Sequence, residues 1–303
     1  MNVAFKTTLS IQAIDAARPE FGGIVSGVDI AAGVSEAEAA AIEAGMDRYA
    51  VLVFRDQRID DEQQYAFSQN FGLMETATGD LGMRKDRRLS MDINDISNLD
   101  KDGKILARDS QRRLFSLGNR LWHSDSSFKA TPSKYSLLSA RVIPGGGGNT
   151  EFADMRAAWD ALDTETQDEC RDLICDHSQI YSRGLLGFRL EDFGGEDQQR
   201  LMPVPQRLVR RHAATGRLSL YLASHAGQIH GWPTPEARAF LRDLNEHATQ
   251  RQFVYAHEWR QYDLVMWDNR CTMHRARPFD PAQVRDMHRT TVADSAPTLQ
   301  QPL

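Results

Sequence analysis

The sequence predicts a mainly β protein with interspersed helices, read as a β-sandwich or barrel carrying helical insertions. Three observations lead there. Short strand-like runs dominate the second half: Tyr135 to Val142, Arg251 to His257 and Leu264 to Trp267. Helix-start signals sit between and before them. No repeat, low-complexity linker or composition break divides the 303 residues, so one domain over 1–303 is expected.

In chain order, Ser35 and Glu38 form a capping-box pattern that opens an alanine-rich helix to about Tyr49. The apolar run Ala50 to Phe54 follows as a strand, and Asp60 caps a second helix that stops before Gly72. From about Thr76 to Asn119 the chain is rich in Asp, Arg, Lys, Gly and Ser and has little periodicity. A long irregular stretch of this kind is either a lid-like insertion over a site or a disordered excursion. Tyr135 to Val142 is a strand ended by Pro144. Gly145 to Gly148 is a turn, not a phosphate loop, because no GK[ST] follows. Asp154 starts a helix, Thr164 with Gln167 restarts one, and Thr234-Pro235-Glu236 opens another with a capping threonine.

Composition excludes several classes. Hydrophobic residues make up 41% and charged residues 26%, as in an ordinary globular protein. The longest clear apolar run, Tyr49 to Phe54, is too short to cross a bilayer. The start of the chain lacks a charged-then-apolar signal pattern, so a cytoplasmic location is expected. The net charge of -6 and the absence of a basic run argue against nucleic acid. Lys85, Arg87 and Arg88 read as a solvated surface cluster. The three cysteines, Cys170, Cys175 and Cys271, lack CxxC spacing and read as reduced structural thiols.

Chemistry enters with Trp122-His123-Ser124-Asp125. In a strand, His123 and Asp125 would point to one face and could share a metal. A single H-x-D pair is about what chance allows, so a surface strand pair is the plainer reading. His274 follows the strand-and-turn run Asp263 to Arg270 and can complete two histidines and one carboxylate. That set holds one face of an octahedral iron and leaves three positions open. A closed zinc site would want a fourth ligand, for which Cys271 is the neighbour, although core packing suits it better. Arg285, Met287 and Arg289 share one face if their segment is a strand. Two inward guanidiniums need anions, and two carboxylates would supply them. An exposed basic edge strand stands as an equal alternative. His177, His225, His230, His247, His257 and His288 show no ligand spacing; His288 falls on the face opposite Arg285 and Arg289.

The segments at 51–72 (VLVFRDQRIDDEQQYAFSQNFG), 121–128 (LWHSDSSF), 147–162 (GGNTEFADMRAAWDAL), 246–259 (EHATQRQFVYAHEW) and 263–280 (DLVMWDNRCTMHRARPFD) resemble the taurine dioxygenase and 2,4-dichlorophenoxyacetate dioxygenase superfamily. LWHSDSSF and DMRAAWDAL are most similar to its phenoxyacetate-degrading branch. The resemblance implies a double-stranded β-helix, or jelly-roll, core with flanking helices. It implies Fe(II) at His123, Asp125 and His274, and 2-oxoglutarate held by Thr150 and Arg285. It places Arg289 against the acidic group of the substrate and His212 and Ser127 along its pocket. The expected reaction uses O₂ and 2-oxoglutarate to hydroxylate an aryloxyalkanoate. A phenol and glyoxylate leave with succinate and CO₂. A sulfonate or alkyl-sulfate oxygenase is the alternative within that chemistry. A non-catalytic jelly-roll binding module is the alternative outside it, and it would not need those residues together. The expected partners are a small anionic aromatic substrate and further copies of the chain in a homo-oligomer, with no nucleic acid and no membrane.

Overall fold

Strand Leu264–Asp268 is buried at every position, because both faces of its sheet are covered. A computed structural model describes residues 8–77 and 87–303. The strands, in chain order, are β1 (Ser10–Ala13), β2 (Gly23–Ser26), β3 (Val51–Phe54), β4 (Asn94–Asp95), β5 (Ser133–Val142), β6 (Thr150–Asp154), β7 (Ile174–His177), β8 (Val204–Arg207), β9 (Val209–Arg211), β10 (Leu218–Leu220), β11 (Ala226–Ile229), β12 (Val254–His257), β13 (Leu264–Asp268), β14 (Thr272–Ala276) and β15 (Asp286–Ala293). The helices are α1 (Glu36–Tyr49), α2 (Asp61–Gln69), α3 (Gln111–Ser116), α4 (Met155–Asp160), α5 (Thr164–Cys170), α6 (Gln179–Gly184), α7 (Gly195–Arg200) and α8 (Thr234–Ala248).

The larger sheet runs β1-β2-β3-β13-β5-β15-β4, and a smaller sheet runs β12-β6-β14. The protein is therefore mainly β with helices around it. Alternation along the strands explains the layers. Leu52, Phe54, Leu137, Leu264 and Met266 pack outward against Ile42 and Met46 of α1 and Phe67 of α2. Their neighbours Val51, Val53, Leu138, Val265, Trp267 and Met287 face the other way and meet Phe152 of β6 and Tyr255 of β12. The site lies on this inner side, between the two sheets. Behind the smaller sheet, Ala153 and Met273 pack with Trp159 of α4 and Leu241 and Leu244 of α8.

The helix starts follow the sequence closely. Ser35 and Glu38 form the capping box of α1, and Asp60 and Gln63 form that of α2. Asp154 caps α4 as expected. Two details differ. α5 is capped by Asp163 and not by Thr164, and Thr234 is already inside α8, which has no side-chain cap. The run 251–257 splits, with a 3₁₀ turn (Arg251–Phe253) leading into β12.

The segment 76–119 differs most from a loose excursion. Residues 78–86 lie outside those described. From Arg87 onward the chain is built into the fold: β4 pairs with β15, Ile93, Leu99 and Phe115 are buried, and Asn98 donates to the Gln283 carbonyl at 2.8 Å. Arg88 is not a solvated cation. It bridges Asp95 and Asp286, and its neighbour Arg87 donates to the Leu89 and Ile93 carbonyls at 3.2 and 2.9 Å. Lys85 lies outside the described residues. The cysteines are buried thiols; burial pushes Cys170 and Cys175 up to about 12.

Arg156 ties α4 to the first layer. It pairs with Asp154 through two hydrogen bonds of 2.9 and 3.1 Å and donates to the Arg48 and Glu20 carbonyls at 3.0 and 3.1 Å. Both side chains are buried. Arg156→Met should leave the Asp154 carboxylate buried and short of its main partner, lowering stability by about 3 kcal/mol. Urea unfolding measures this directly. A loss below about 1 kcal/mol would show that the bridge adds little.

Candidate active site

Asp125 is the centre of the site, and it is positioned from four directions. Its backbone N–H donates to Asn269 Oδ1 at 3.0 Å, and its carbonyl accepts from Ser133 Oγ at 2.7 Å. Its carboxylate accepts from Ser136 Oγ at 2.7 Å and from Arg289 Nη1 at 2.5 Å. Asn269 is itself held by Trp267 Nε1 and by Ser136 Oγ, each at 3.0 Å. Contrary to what their spacing predicts, His123 and Asp125 are not neighbours on one strand face. Only His123 is paired, through a single bridge to His274 with N–H···O distances of 3.0 and 2.8 Å. Asp125 then lies in a turn, and Ser126 beyond it has φ +53°, the left-handed region that non-glycine residues seldom adopt. The turn, not strand alternation, brings the carboxylate round to the histidines.

His274 stands on β14 between the sheets, its ring 4.7 Å from that of Trp267 and 4.2 Å from that of His123. Nε2 of His123 and of His274 lie 3.8 and 3.7 Å from the two Asp125 carboxylate oxygens. Ligand atoms of the three residues all fall within 4.8 Å of one another. His123 Nδ1 is fixed by the Leu121 carbonyl at 2.7 Å, which leaves Nε2 as the free donor toward the centre. Burial holds His123 and His274 below the ordinary histidine range. Arg289 is the largest of the influences that hold the Asp125 carboxyl well below its own range against burial. Two neutral imidazoles and a carboxylate are the donor set for a divalent ion with open positions. Cys271 packs in the core beside the inner layer, so no thiolate completes a closed zinc site there.

Two clefts meet at this cluster. The inner one is lined by Thr150, His274, Trp267, Leu138, Arg285 and Arg289. Arg285 is 6% exposed, donates to the Ile96 carbonyl at 3.2 Å, and has no carboxylate partner among the described residues. Burial alone pulls it down to about 10, so it is still cationic at neutral pH. Thr150 Oγ accepts from Trp259 Nε1 at 3.0 Å, which leaves its own hydroxyl hydrogen to donate. A cation and a hydroxyl donor in one small cleft suit a carboxylate.

The outer cleft is lined by His123, Asp125 and Arg289 on one side and by Arg183, His225 and Phe128 on the other. Arg285 and Arg289 share the inner face as the sequence predicts, and His288 points away, toward Asp61 and Asp286. Other expectations change. Arg289 reaches the outer cleft with its guanidinium already paired to Asp125. His212 lines neither cleft. It is buried beside Arg270 Nη2 at 3.0 Å and Asp268 Oδ2 at 3.3 Å, in an ionic cluster near Asp47. Ser127 is buried just behind the wall that Ser126 and Phe128 form. His225, which shows no ligand spacing in the sequence, is a wall residue of the outer cleft whose ring lies 5.1 Å from that of Phe128 and 5.9 Å from that of His123.

The family description "Taurine catabolism dioxygenase TauD, TfdA family" matches residues 13–291. The chain belongs to this family. It is 43% identical over 278 residues to an alpha-ketoglutarate-dependent 2,4-dichlorophenoxyacetate dioxygenase of Cupriavidus pinatubonensis, covering 92% of this chain and 96% of that one. It is 37% identical over 283 residues to an (S)-phenoxypropionate/alpha-ketoglutarate-dioxygenase of Sphingobium herbicidovorans, covering 90% and 92%. A crystal structure of AAD-2 in complex with Mn(II) and N-oxalylglycine superposes with TM-score 0.92 at 56% identity, covering 96% of this chain and all of that one. No helix among the described residues is long and apolar enough to cross a membrane.

The lowered histidines carry a pH consequence for this dioxygenase family member. A depressed pKa means that a proton is harder to add, so the ligating form persists to lower pH. Two ordinary imidazoles would lose metal affinity about tenfold between pH 7.5 and 6.0. Mn(II) titrations by calorimetry should show less than about a threefold change over that range. A tenfold fall would mean that burial does not keep these rings neutral.

Proposed function

We propose that this protein is an Fe(II)- and 2-oxoglutarate-dependent dioxygenase that hydroxylates an aryloxyalkanoate, with a single catalytic domain spanning the chain. The carrying observation is the buried His123–Asp125–His274 cluster, open toward two clefts, the inner lined by Arg285, which has no carboxylate partner among the described residues. The two facing sheets are in keeping with a double-stranded β-helix. The names of the relatives described above support the substrate class.

On this reading His123, Asp125 and His274 hold iron, with Ser136 and Arg289 orienting the carboxylate. Arg285 and Thr150 hold the far carboxylate of 2-oxoglutarate in the inner cleft, the guanidinium by a bidentate fork. The bound iron, cosubstrate and O₂ supply oxidation of a C–H bond coupled to decarboxylation of 2-oxoglutarate to succinate and CO₂. The protein orients the substrate and excludes water. Phe115 and Phe128 offer aromatic surface for the ring in the outer cleft, while its guanidiniums meet the acid. Hydroxylation beside the ether oxygen gives a hemiacetal, which collapses to a phenol and glyoxylate.

Alanine at His123, Asp125 or His274 should abolish turnover and weaken metal binding while leaving the fold intact, as judged by circular dichroism and metal titration. Near-normal activity in one variant removes that residue from the ligand set. Arg285→Lys keeps the charge but loses the fork, and should raise the KM for 2-oxoglutarate. Arg285→Ala should raise it by at least about 30-fold, since truncating a buried charge pair costs about 2–5 kcal/mol. An unchanged KM refutes the cosubstrate assignment. Phenoxyacetates, taurine and alkyl sulfates supplied separately decide the substrate class. Phenol release should have the highest kcat/KM. Faster sulfite release from taurine, or sulfate release from an alkyl sulfate, points to the sulfonate or sulfate chemistry instead.

A further inference from the structure

Thr150 and Trp259 meet at the wall of the inner cleft. Pairing of β6 with β12 sets Thr150 opposite His257, and Trp259 follows two residues past the end of β12. The indole reaches back to β6, where its Nε1–H donates to Thr150 Oγ at 3.0 Å. Thr150 is 3% exposed, and its hydroxyl makes this one hydrogen bond among the described residues. An indole N–H can only donate. The threonine oxygen is therefore the acceptor, and its own hydrogen is left for another group. Thr150 lines the inner cleft together with Arg285, so the acceptor it lacks is one that enters that cleft.

The indole is itself braced. Its ring stands edge-on to that of His257, with centroids 4.6 Å apart and planes at 85°. His257 is buried and held at both ring nitrogens, Nε2 by Asp263 Oδ2 at 3.1 Å and Nδ1 by the Tyr255 hydroxyl at 2.9 Å. Burial keeps this histidine below its ordinary range, so the ring is neutral. Asp263 can only accept, which puts the ring hydrogen on Nε2 and leaves Nδ1 to accept from Tyr255. Asp263 is buried in turn, and is pinned by Arg55 and by the Arg260 backbone N–H at 2.8 Å. A run of contacts thus leads from a buried carboxylate to one hydroxyl of the inner cleft.

We propose that Trp259 is a positioning residue for the cosubstrate: by donating to Thr150 Oγ it fixes the hydroxyl with its hydrogen toward the inner cleft and strengthens its donation to the far carboxylate of 2-oxoglutarate. This rests on the cosubstrate reading of Thr150 and Arg285 above and deepens it. Two physical effects act together. A hydroxyl with no fixed partner rotates freely, and ordering it at the moment of binding costs affinity. An oxygen that accepts an N–H is polarised and becomes a better O–H donor, so the chain from indole to hydroxyl to carboxylate is stronger than its last link alone. The effect is confined to the end of the ligand that carries the second carboxylate.

The test is calorimetric binding of 2-oxoglutarate and of 2-oxobutyrate, which keeps the oxo acid and lacks the far carboxylate, to protein loaded with Mn(II). Wild type should prefer 2-oxoglutarate. Trp259→Phe keeps an aromatic ring and removes the N–H. It should weaken 2-oxoglutarate by about three- to tenfold and change 2-oxobutyrate by less than about twofold. Thr150→Val should weaken 2-oxoglutarate at least as much, and adding Trp259→Phe to it should change little more, because the two residues share one interaction. Thr150→Ser, which keeps the hydroxyl, should keep the dependence on Trp259. A measurement on the unaltered indole guards against a misfolded Trp259 variant. In isotope-labelled protein loaded with Zn(II), the indole N–H resonance that moves in Thr150→Val should shift on addition of 2-oxoglutarate and far less with 2-oxobutyrate. Equal weakening of both acids by Trp259→Phe, no weakening of 2-oxoglutarate, additive losses in the double variant, or an indole resonance unmoved by 2-oxoglutarate overturns the proposal. Arg285→Ala judges the cosubstrate reading separately. If it loses the preference for 2-oxoglutarate while Trp259→Phe and Thr150→Val keep it in full, that reading stands for Arg285 and the role of Trp259 falls. If wild type shows no preference, the reading falls and the proposal with it.

Discussion

The carboxylate of Asp125 is the constraint on which the site depends. It is buried, ionised and shared between two faces of the structure. Arg289 and Ser136 reach it from the larger sheet, and the imidazoles of His123 and His274 meet it from the side of the smaller one. A buried carboxylate is tolerated only with such partners. The need to supply them explains features that look unrelated along the chain. Ser126 takes a left-handed conformation, and Ser136 is a buried hydroxyl between Tyr135 and Leu137 on β5. Asn269 stands at the end of β13 to hold the Asp125 backbone from behind. Trp267 serves both layers: its indole N–H fixes Asn269 and its ring packs on His274.

Charge is distributed around this centre with a purpose. Arg88, Arg112, Arg156, Arg210 and Arg270 each have an aspartate within 3.0 Å, and these pairs close the structure. Arg285 and Arg183 are buried and have no such partner among the described residues. Each lines a cleft that reaches the candidate metal-binding cluster. On the proposed reading, Arg285 suits a reactant that brings a carboxylate, and its desolvation is offset when that reactant is bound, so ligand binding should also stabilise the fold.

Much of the architecture was legible before folding. Capping boxes mark α1 and α2 because their side-chain and backbone partners are local. The fully apolar VLVF and LVMW runs mark strands covered on both faces. The histidine-aspartate-histidine set was also visible, as was the shared face of Arg285 and Arg289, because alternation along a strand is a property of the chain itself. Less visible was anything that depends on what lies opposite. Arg88 looks solvated in sequence and is half-buried between two aspartates 7 and 198 positions away. His212 is captured by Arg270 and Asp268, and no local pattern announces that. His225 and Arg183 carry no motif. The only hint was that the stretch from Gln179 to Gly184 is polar yet packs under a long irregular segment.

The sequence by itself determined the element types, the inward and outward faces of the strands, and the chemical identity of the candidate metal-binding trio. These follow from local hydrogen bonding and from a period of two. Tertiary structure alone decided that Asp125 sits in a turn that carries it to two histidines, and that Arg289 goes to Asp125 while Arg285 has no carboxylate partner among the described residues. The reason is that the free energy of a buried charge depends on every group within a few ångströms of it. Those groups come from segments a hundred or more residues apart.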